Sequence, residues 1–325
     1  MLIRQNGWTG SKHWWERDEL NDTARYFLIV AHTGRPDSLE AAATVCEQLI
    51  AAGAVPVLAR DERSDLLASS PALNGHIAIL GDTVSTADLE LVIVLGGDGT
   101  VLRSAEVVRG CSAPLLGVNL GHVGFLAESE RDDLGKAVRR ALAGDYEVEE
   151  RLALSVRVKV GDEVVYETWA LNEVTVEKAS RERMIEVVVE VDGRPLSSFG
   201  CDGVVMSTPT GSTAYSFSAG GPIVWPGVEA LLLVPLSAHA LFARPLVVGP
   251  DSSLAVEVLS RTGASAVLCA DGRRTQDLPK GARVIVRRSS VPVRLARLHI
   301  GPFTDRLVNK FNLPVTGWRG PVGRE

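Results

Sequence analysis

The run Gly96-Gly97-Asp98-Gly99-Thr100 brings together residue types that act on phosphate. Glycines let the backbone come close to a phosphate group, and the free N–H groups and dipole of a following helix favour its charge. Gly96, Gly97, Gly99 and Thr100 are therefore the expected phosphate-donor site. A carboxylate inside such a turn repels phosphate unless it binds a metal ion or takes a proton from an attacking hydroxyl. Asp98 is thus the expected catalytic residue, although the same pattern also suits a tight strand-to-helix turn with an aspartate N-cap. Arg103, one turn further on, either replaces the lysine that a P-loop would supply or stands on a solvated helix face.

A second constellation is Thr208-Pro209-Thr210-Gly211-Ser212-Thr213-Ala214-Tyr215-Ser216, followed by Phe217-Ser218-Ala219-Gly220-Gly221-Pro222. Small hydroxyl residues around a glycine, with a tyrosine on the same turn, can hydrogen-bond and stack on a nucleoside. By composition alone the stretch is only a loop. Asn172-Glu173 pairs an amide with a carboxylate, suited to a base edge and ribose hydroxyls. Asp202-Gly203 and Asp271-Gly272 read first as hairpin turns. His122 and His239 stand near apolar runs and read as structural. Gly117 and Gly121 form G-x-x-x-G in place of the dinucleotide fingerprint, which disfavours a hydride-transferring Rossmann enzyme.

The elements that must position these residues change character along the chain. Over 26–149, short apolar runs alternate with helical patterns, as in a mostly parallel sheet covered by helices. Strands are expected at 27–31, 55–58, 77–80, 89–95 and 114–119, and helices at 38–52 and 101–108. The run 89–95 is almost wholly apolar, as a strand buried on both faces requires, and it ends at the glycine turn. From about 150 to 300 the period falls to two, which predicts a mainly β domain, an antiparallel sandwich. Strands are expected there at 152–160, 164–171, 185–191, 267–270, 283–287 and 293–300. The stretch 302–318 regains a helical period through Phe303, Leu307 and Phe311, and is expected to pack back on the first domain. Residues 1–25 form a flexible extension with Trp8, Trp14 and Trp15.

Lys and Arg number 34 and Asp and Glu 40, a net charge of −6 that excludes sequence-independent nucleic-acid binding and a membrane-surface role. Charged residues are 23% and hydrophobic residues 46% of the chain, so a disordered or fibrous class is excluded. Cys46, Cys111, Cys201 and Cys269 are widely spaced, with no C-x-x-C pair, and read as reduced thiols. The start lacks a signal-peptide core, and the apolar stretch 230–248 is broken by Pro235, His239, Arg244 and Pro245. A cytoplasmic location is expected.

The glycine turn, the block from Asn119 through Gly121, His122, Gly124 and Phe125 to Leu126, Asn172-Glu173 and the run from Thr208 to Tyr215 occur in the order found in NAD kinases, which the chain resembles from 26 to 318. The glycine turn alone is shared with lipid kinases of the diacylglycerol kinase type. The Thr-Pro-Thr-Gly-Ser-Thr-Ala-Tyr block narrows the resemblance, and the end of the chain, Pro302 to Trp318, resembles actinobacterial members. The resemblance implies phosphorylation of the 2′-hydroxyl of the adenosine ribose of NAD by ATP or inorganic polyphosphate, with Mg²⁺ or Mn²⁺ on the donor and Asp98 as general base. It implies NAD contacts at Asp98, Gly99, Arg103, Phe125, Asn172, Glu173, Arg183, Asp202, Thr210, Thr213, Ala214, Tyr215, Ser216, Phe217 and Ser218. Asp202 is carried over with reach into a neighbouring subunit left open, since members assemble as dimers or tetramers. Gly200-Cys201 before it lacks the basic residue many members have. A lipid or sphingoid kinase and a non-catalytic dinucleotide sensor are the alternatives. The extension matches nothing in the family, so a chain beginning at Arg25 is expected to keep activity and assembly; loss of either in a turnover or sedimentation assay overturns this.

Overall fold

The computed structural model describes residues 24–315 except 122–123, 128, 131–132, 182, 262–263 and 299–300. The extension up to 23, His122, and the end of the chain from 316 lie outside the described residues. The chain divides into two compact units, one of residues 1–122 and 126–147 and one of 123–125 and 148–325.

In the first unit, strands β1 (Tyr26–Ala31), β2 (Val55–Leu58), β3 (Ala78–Ile79), β4 (Leu89–Leu95) and β5 (Leu115–Asn119) lie in the order β3-β2-β1-β4-β5. All these pairings are parallel, and the short β6 (Ser129–Glu130) adds a parallel pairing to β5. β4 sits between β1 and β5, so Leu91, Val92, Ile93, Val94 and Leu95 are wholly buried, which is why the run is apolar without alternation. Helix α1 (Pro36–Ala51) starts at a proline and buries Ala41, Ala42, Val45, Cys46 and Leu49, the i, i+3, i+4 face of the sequence. Helix α2 (Arg60–Ser69) was not legible as a helix, because it buries only Glu62 and Leu66 and so has no apolar period. Helix α3 (Asp98–Val107) follows the glycine turn, and α4 (Leu134–Leu142) buries Leu134, Ala137, Val138 and Ala141.

The second unit opens with β7 (Glu147–Arg151), which neighbours β20 (Val293–Arg297). Its body is two antiparallel sheets. One, in the order β15-β14-β13-β10-β17-β18, comprises β10 (Glu173–Lys178), β13 (Gly203–Ser207), β14 (Leu231–Leu236), β15 (Leu246–Val248), β17 (Ala266–Ala270) and β18 (Arg274–Leu278). The other, in the order β12-β11-β16-β19-β8-β9, comprises β8 (Leu154–Val160), β9 (Glu163–Ala170), β11 (Ile185–Val191), β12 (Arg194–Cys201), β16 (Leu254–Val258) and β19 (Ala282–Arg288). Val174, Val176, Met206 and Leu268 of the first sheet and Val187, Val256 and Val284 of the second share one buried core. This is the expected antiparallel sandwich. Short α5 (Tyr215–Ser218) follows the Thr208 turn, and α6 (Phe303–Phe311) ends at Asn312, whose φ of 50° closes it.

Two turn readings part company. Asp271-Gly272 is a hairpin turn between β17 and β18, with φ of 53° and 64°. Asp202-Gly203 is not a hairpin: β12 before it pairs with β11 in one sheet, and β13 after it pairs with β10 and β14 in the other. The Asp-Gly signal there marks a crossing between sheets. Among the described residues no helix is long and apolar enough to cross a membrane. The four cysteines are free, and burial pushes the Cys46 and Cys201 thiols up to about 12.

Ile93→Ala at the centre of β4 should destabilise the first unit by about 2–5 kcal/mol, read as a lower urea midpoint, because the cavity it leaves has no route to collapse.

Candidate functional site

The glycine turn opens α3 directly after the buried strand β4. Gly97 is the N-cap and makes no side-chain cap, so Asp98 is the first helical residue rather than the capping one. Its Oδ1 accepts from the Leu126 amide at 3.0 Å. Gly96 must be glycine for internal reasons, since an added Cβ would meet Thr100 Oγ1 at 2.4 Å. At Gly97 and Gly99 nothing lies within 4 Å of an added Cβ, and neither has a left-handed φ. The fold does not require glycine at these two exposed positions, and the backbone there is open.

Arg103 is not on a solvated face. Its Nη2 donates to the Ala31 carbonyl at 2.7 Å and pairs with Glu62 Oε1 at 2.7 Å, while Glu62 Oε2 accepts from the Ala31 amide at 3.4 Å. Burial raises the Glu62 carboxyl and Arg103 opposes that shift. The guanidinium is thereby fixed at the end of β1. A surface cavity of about 550 Å³ around the start of α1, lined by Thr33, Gly34, Pro36 and Leu39 among others, contains none of the expected site residues.

In the second unit the sheet register gathers the remaining residues. Glu173 at the start of β10 stands opposite Ser207 at the end of β13, and Val174 stands opposite Ala270 at the end of β17. Asn172, Thr208 and Asp271 therefore converge at one sheet end. Asp271 accepts from the Leu171 and Asn172 amides at 2.9 and 2.7 Å and from Arg274 at 2.8 Å. Thr208 donates its amide to the Asn172 carbonyl at 2.9 Å and its hydroxyl to the Leu171 carbonyl at 2.6 Å. A Cβ on Gly211 would lie 2.0 Å from the Asn172 carbonyl oxygen, so the chain can make this approach only with glycine. Ser212, wholly buried, bonds Pro209 and Val224 and shapes the loop.

Glu173 is 7% exposed, and its Oε2 is buried with no hydrogen-bond partner. Burial first and the neighbouring Asp271 second push its carboxyl up to about 8, against a hydrogen bond from the Tyr215 amide. The acid is thus neutral near pH 7. Tyr215, 39% exposed, is held by Glu177, and burial together with Glu177 raises its phenol. Thr210 Oγ1 accepts from buried Arg151 at 3.4 Å, and Thr213 donates to the Thr210 carbonyl at 3.3 Å. Ala214 and Ser218 line the same turn, with Ser218 exposed, whereas Ser216 is wholly buried against Gly221.

The remaining expected residues are Phe125, Phe217, Arg183 and Asp202. Phe125, 7% exposed, packs against Phe303 and Phe311 at 6.0 and 5.9 Å, and Phe217 packs against Phe311 at 4.7 Å. Both belong to an aromatic cluster with α6, and the Phe125 carbonyl accepts from Arg306. Arg183 is exposed just ahead of β11. Asp202 pairs with Lys178 at 2.5 Å, which holds its carboxyl below the usual range. The basic neighbour missing from Gly200-Cys201 is supplied by Lys178 at the end of β10. Sequence reasoning missed Lys178, Glu62 and Thr208 as partners; only the sheet register and the α2 helix bring them in.

The family model described as ATP-NAD kinase N-terminal domain matches residues 27–146, and that described as ATP-NAD kinase C-terminal domain matches 171–298. An NAD kinase of Leifsonia xyli is 76% identical over 301 residues, covering 93% of this chain and 99% of the relative. NAD kinase 2 of Streptomyces coelicolor is 57% identical, covering 91% and 97%. Among solved structures, yeast NADH kinase complexed with NADH matches with a TM-score of 0.81 at 22% identity, over 90% of this chain and 88% of that one. An NAD kinase from Archaeoglobus fulgidus in complex with ATP matches with a TM-score of 0.61 at 24% identity, over 89% and 97%. At these identities the structural matches show the fold.

Glu173 carries its proton into the folded state across the window from its ordinary 4.5 to about 8, so stability should fall as pH rises through that window. Thermal melts of Glu173→Gln should lack this decline, with a difference on the order of 5 kcal/mol at the alkaline end. A decline of equal size in both proteins would exclude Glu173 as its source.

Proposed function

The chain belongs to the NAD kinase family, and on that footing we propose that it transfers the terminal phosphoryl group of ATP, or of inorganic polyphosphate, to the 2′-hydroxyl of the adenosine ribose of NAD. The observation that carries the donor half of this reading is the open backbone at Gly97 and Gly99 on the first turn of α3. Helix-terminal amides and the dipole favour the donor phosphates there. The solved relatives with NADH and with ATP support a dinucleotide acceptor and a nucleoside triphosphate donor.

Asp98 accepts the proton as the ribose oxygen bonds to phosphorus and the bond to the donor's bridging oxygen breaks. The products are NADP and ADP, or a polyphosphate shorter by one unit. A carboxylate that took this proton in the transition state would contribute ~10²- to 10⁴-fold. The Leu126 amide holds Asp98 through Oδ1. Asn172, Glu173 and the Thr210–Ser218 turn bind the nucleoside, with Thr213, Ala214 and Tyr215 in the adenosine pocket. Gly99 and Arg103 line the phosphate path, and Asp202 and Arg183 contact the dinucleotide.

No three His, Cys, Asp or Glu side chains among the described residues gather into a metal cage. A lone carboxylate beside a glycine turn suits Mg²⁺ or Mn²⁺ held mainly by the donor phosphates, where the ion would neutralise charge developing on them. Homodimers or homotetramers formed through the second unit, and a cytoplasmic location, belong to the same reading. Exposed Leu241 and Phe242 between β14 and β15 support the assembly.

Purified protein with NAD and Mg²⁺ should form NADP with ATP, with polyphosphate or with both, and none without donor. Asp98→Asn should retain NAD binding and lose about 10²- to 10⁴-fold in kcat. Unchanged turnover would remove Asp98 from the chemistry, and NAD binding without NADP from any donor would favour a sensor.

A further inference from the structure

Asp271 sits at a left-handed φ of 53° ahead of Gly272, and such a turn asks only for a short polar residue or glycine. The turn alone does not ask for a buried acid. Asp271 is 6% exposed and spends its oxygens on two backbone amides 99 and 100 residues away, with Arg274 as its cation. Arg274 in turn stacks over Trp169 at 4.6 Å. On the opposite side the same Asn172 peptide is gripped through its carbonyl by Thr208 and pressed by Gly211. The backbone of Asn172 is thus consumed on both sides. Beside it, Glu173 Oε2 is buried and without a partner, an arrangement that a ligand would complete.

We propose that Asp271 is a positioning residue for the nucleoside: its buried carboxylate clamps the Leu171 and Asn172 amides and so presents the Asn172 and Glu173 side chains to the acceptor. This rests on the reading that Asn172 and Glu173 bind the dinucleotide. Asp271 does a second thing through charge. The groups facing Glu173 are Asp271 from the β17–β18 turn, the Tyr215 amide from α5 and Cys269 from β17. None is cationic, and Arg274 is already taken by Asp271. A second carboxylate in a desolvated corner keeps Glu173 protonated. Neutral Glu173 donates a hydrogen bond to a nucleoside oxygen or ring nitrogen without repelling the pyrophosphate of the dinucleotide.

The test is steady-state kinetics on the full chain with NAD varied at saturating ATP and Mg²⁺ across pH 6–9, with calorimetric NAD binding in the absence of donor. In the native enzyme KM for NAD should rise as pH passes about 8, where Glu173 ionises. Asp271→Asn keeps one acceptor and removes the charge; it should raise KM about tenfold with a smaller change in kcat, and move the break to lower pH. Glu173→Gln should lose the break altogether. A merely structural turn predicts otherwise: KM unchanged and kcat lowered only by the folded fraction, a result that overturns the proposal. Should Asp271→Asn fail to fold, a native KM with no break near pH 8, or a break that survives in Glu173→Gln, overturns the charge role. Failure of the kinase reading is separate, since it would show as no NADP from any donor while calorimetry still compares NAD affinity of the two proteins.

Discussion

A carboxylate taken out of water must be compensated at once, and the corner at Asp271 is built around that requirement. Two backbone amides and one guanidinium meet it, and all three come with geometric demands. The amides of Leu171 and Asn172 must point at the β17–β18 turn, so the chain between β9 and β10 has one course. The carbonyls of the same residues then face the opposite way, where Thr208 and the glycine at 211 receive them. The loop that carries Thr210, Thr213 and Tyr215 is thereby tied to the end of β10. One buried acid orders residues from three separate strands.

The first unit uses the same device with the opposite outcome. Glu62 is as buried as Asp271 and likewise meets a guanidinium, but here it is the cation that is positioned: Arg103 is held between Glu62 and the Ala31 carbonyl. The product is an oriented guanidinium at the end of β1, one turn into the helix that begins at Asp98. Its charge is partly answered by Glu62, so on the proposed reading its contribution to a phosphate would be a directed hydrogen bond more than a free positive field. The glycine turn supplies the rest, because amides at a helix start need no counter-ion.

Legibility in the sequence followed the range of the interaction. The glycine turn could be read because everything that defines it, an apolar strand, three glycines and a helix, lies in one unbroken stretch from Leu89 to Val107. The sandwich could be read from its period of two. Asp202 and Asp271 show the limit: the same Asp-Gly pair marks a sheet crossing in one place and a hairpin in the other, and nothing local distinguishes them. Arg103 read as half a candidate because its partner lies in α2, whose buried face is one leucine and one glutamate. The basic neighbour of Asp202 sits 24 residues upstream as Lys178, adjacent only through the β10–β13 register. Phe125 and Phe217, expected from their motifs as ligand contacts, both also pack against Phe311 of α6, a contact no local pattern announces.

On the proposed reading, Glu62 and Glu173 divide the work of recognising a dinucleotide. That ligand brings negative charge at its pyrophosphate and neutral polar edges at its nucleoside, so one site should offer a fixed cation and the other a donor without charge. Glu62 fixes the cation at Arg103. Glu173, given a second acid for a neighbour and no cation, is left as the uncharged donor. Had Arg274 turned from Asp271 to Glu173, Glu173 would ionise, the clamp on Asn172 would lose its counter-charge, and an anion would face the ligand. The stacking of Arg274 on Trp169 opposes that exchange, which makes Trp169 part of what sets the charge of the Glu173 carboxyl.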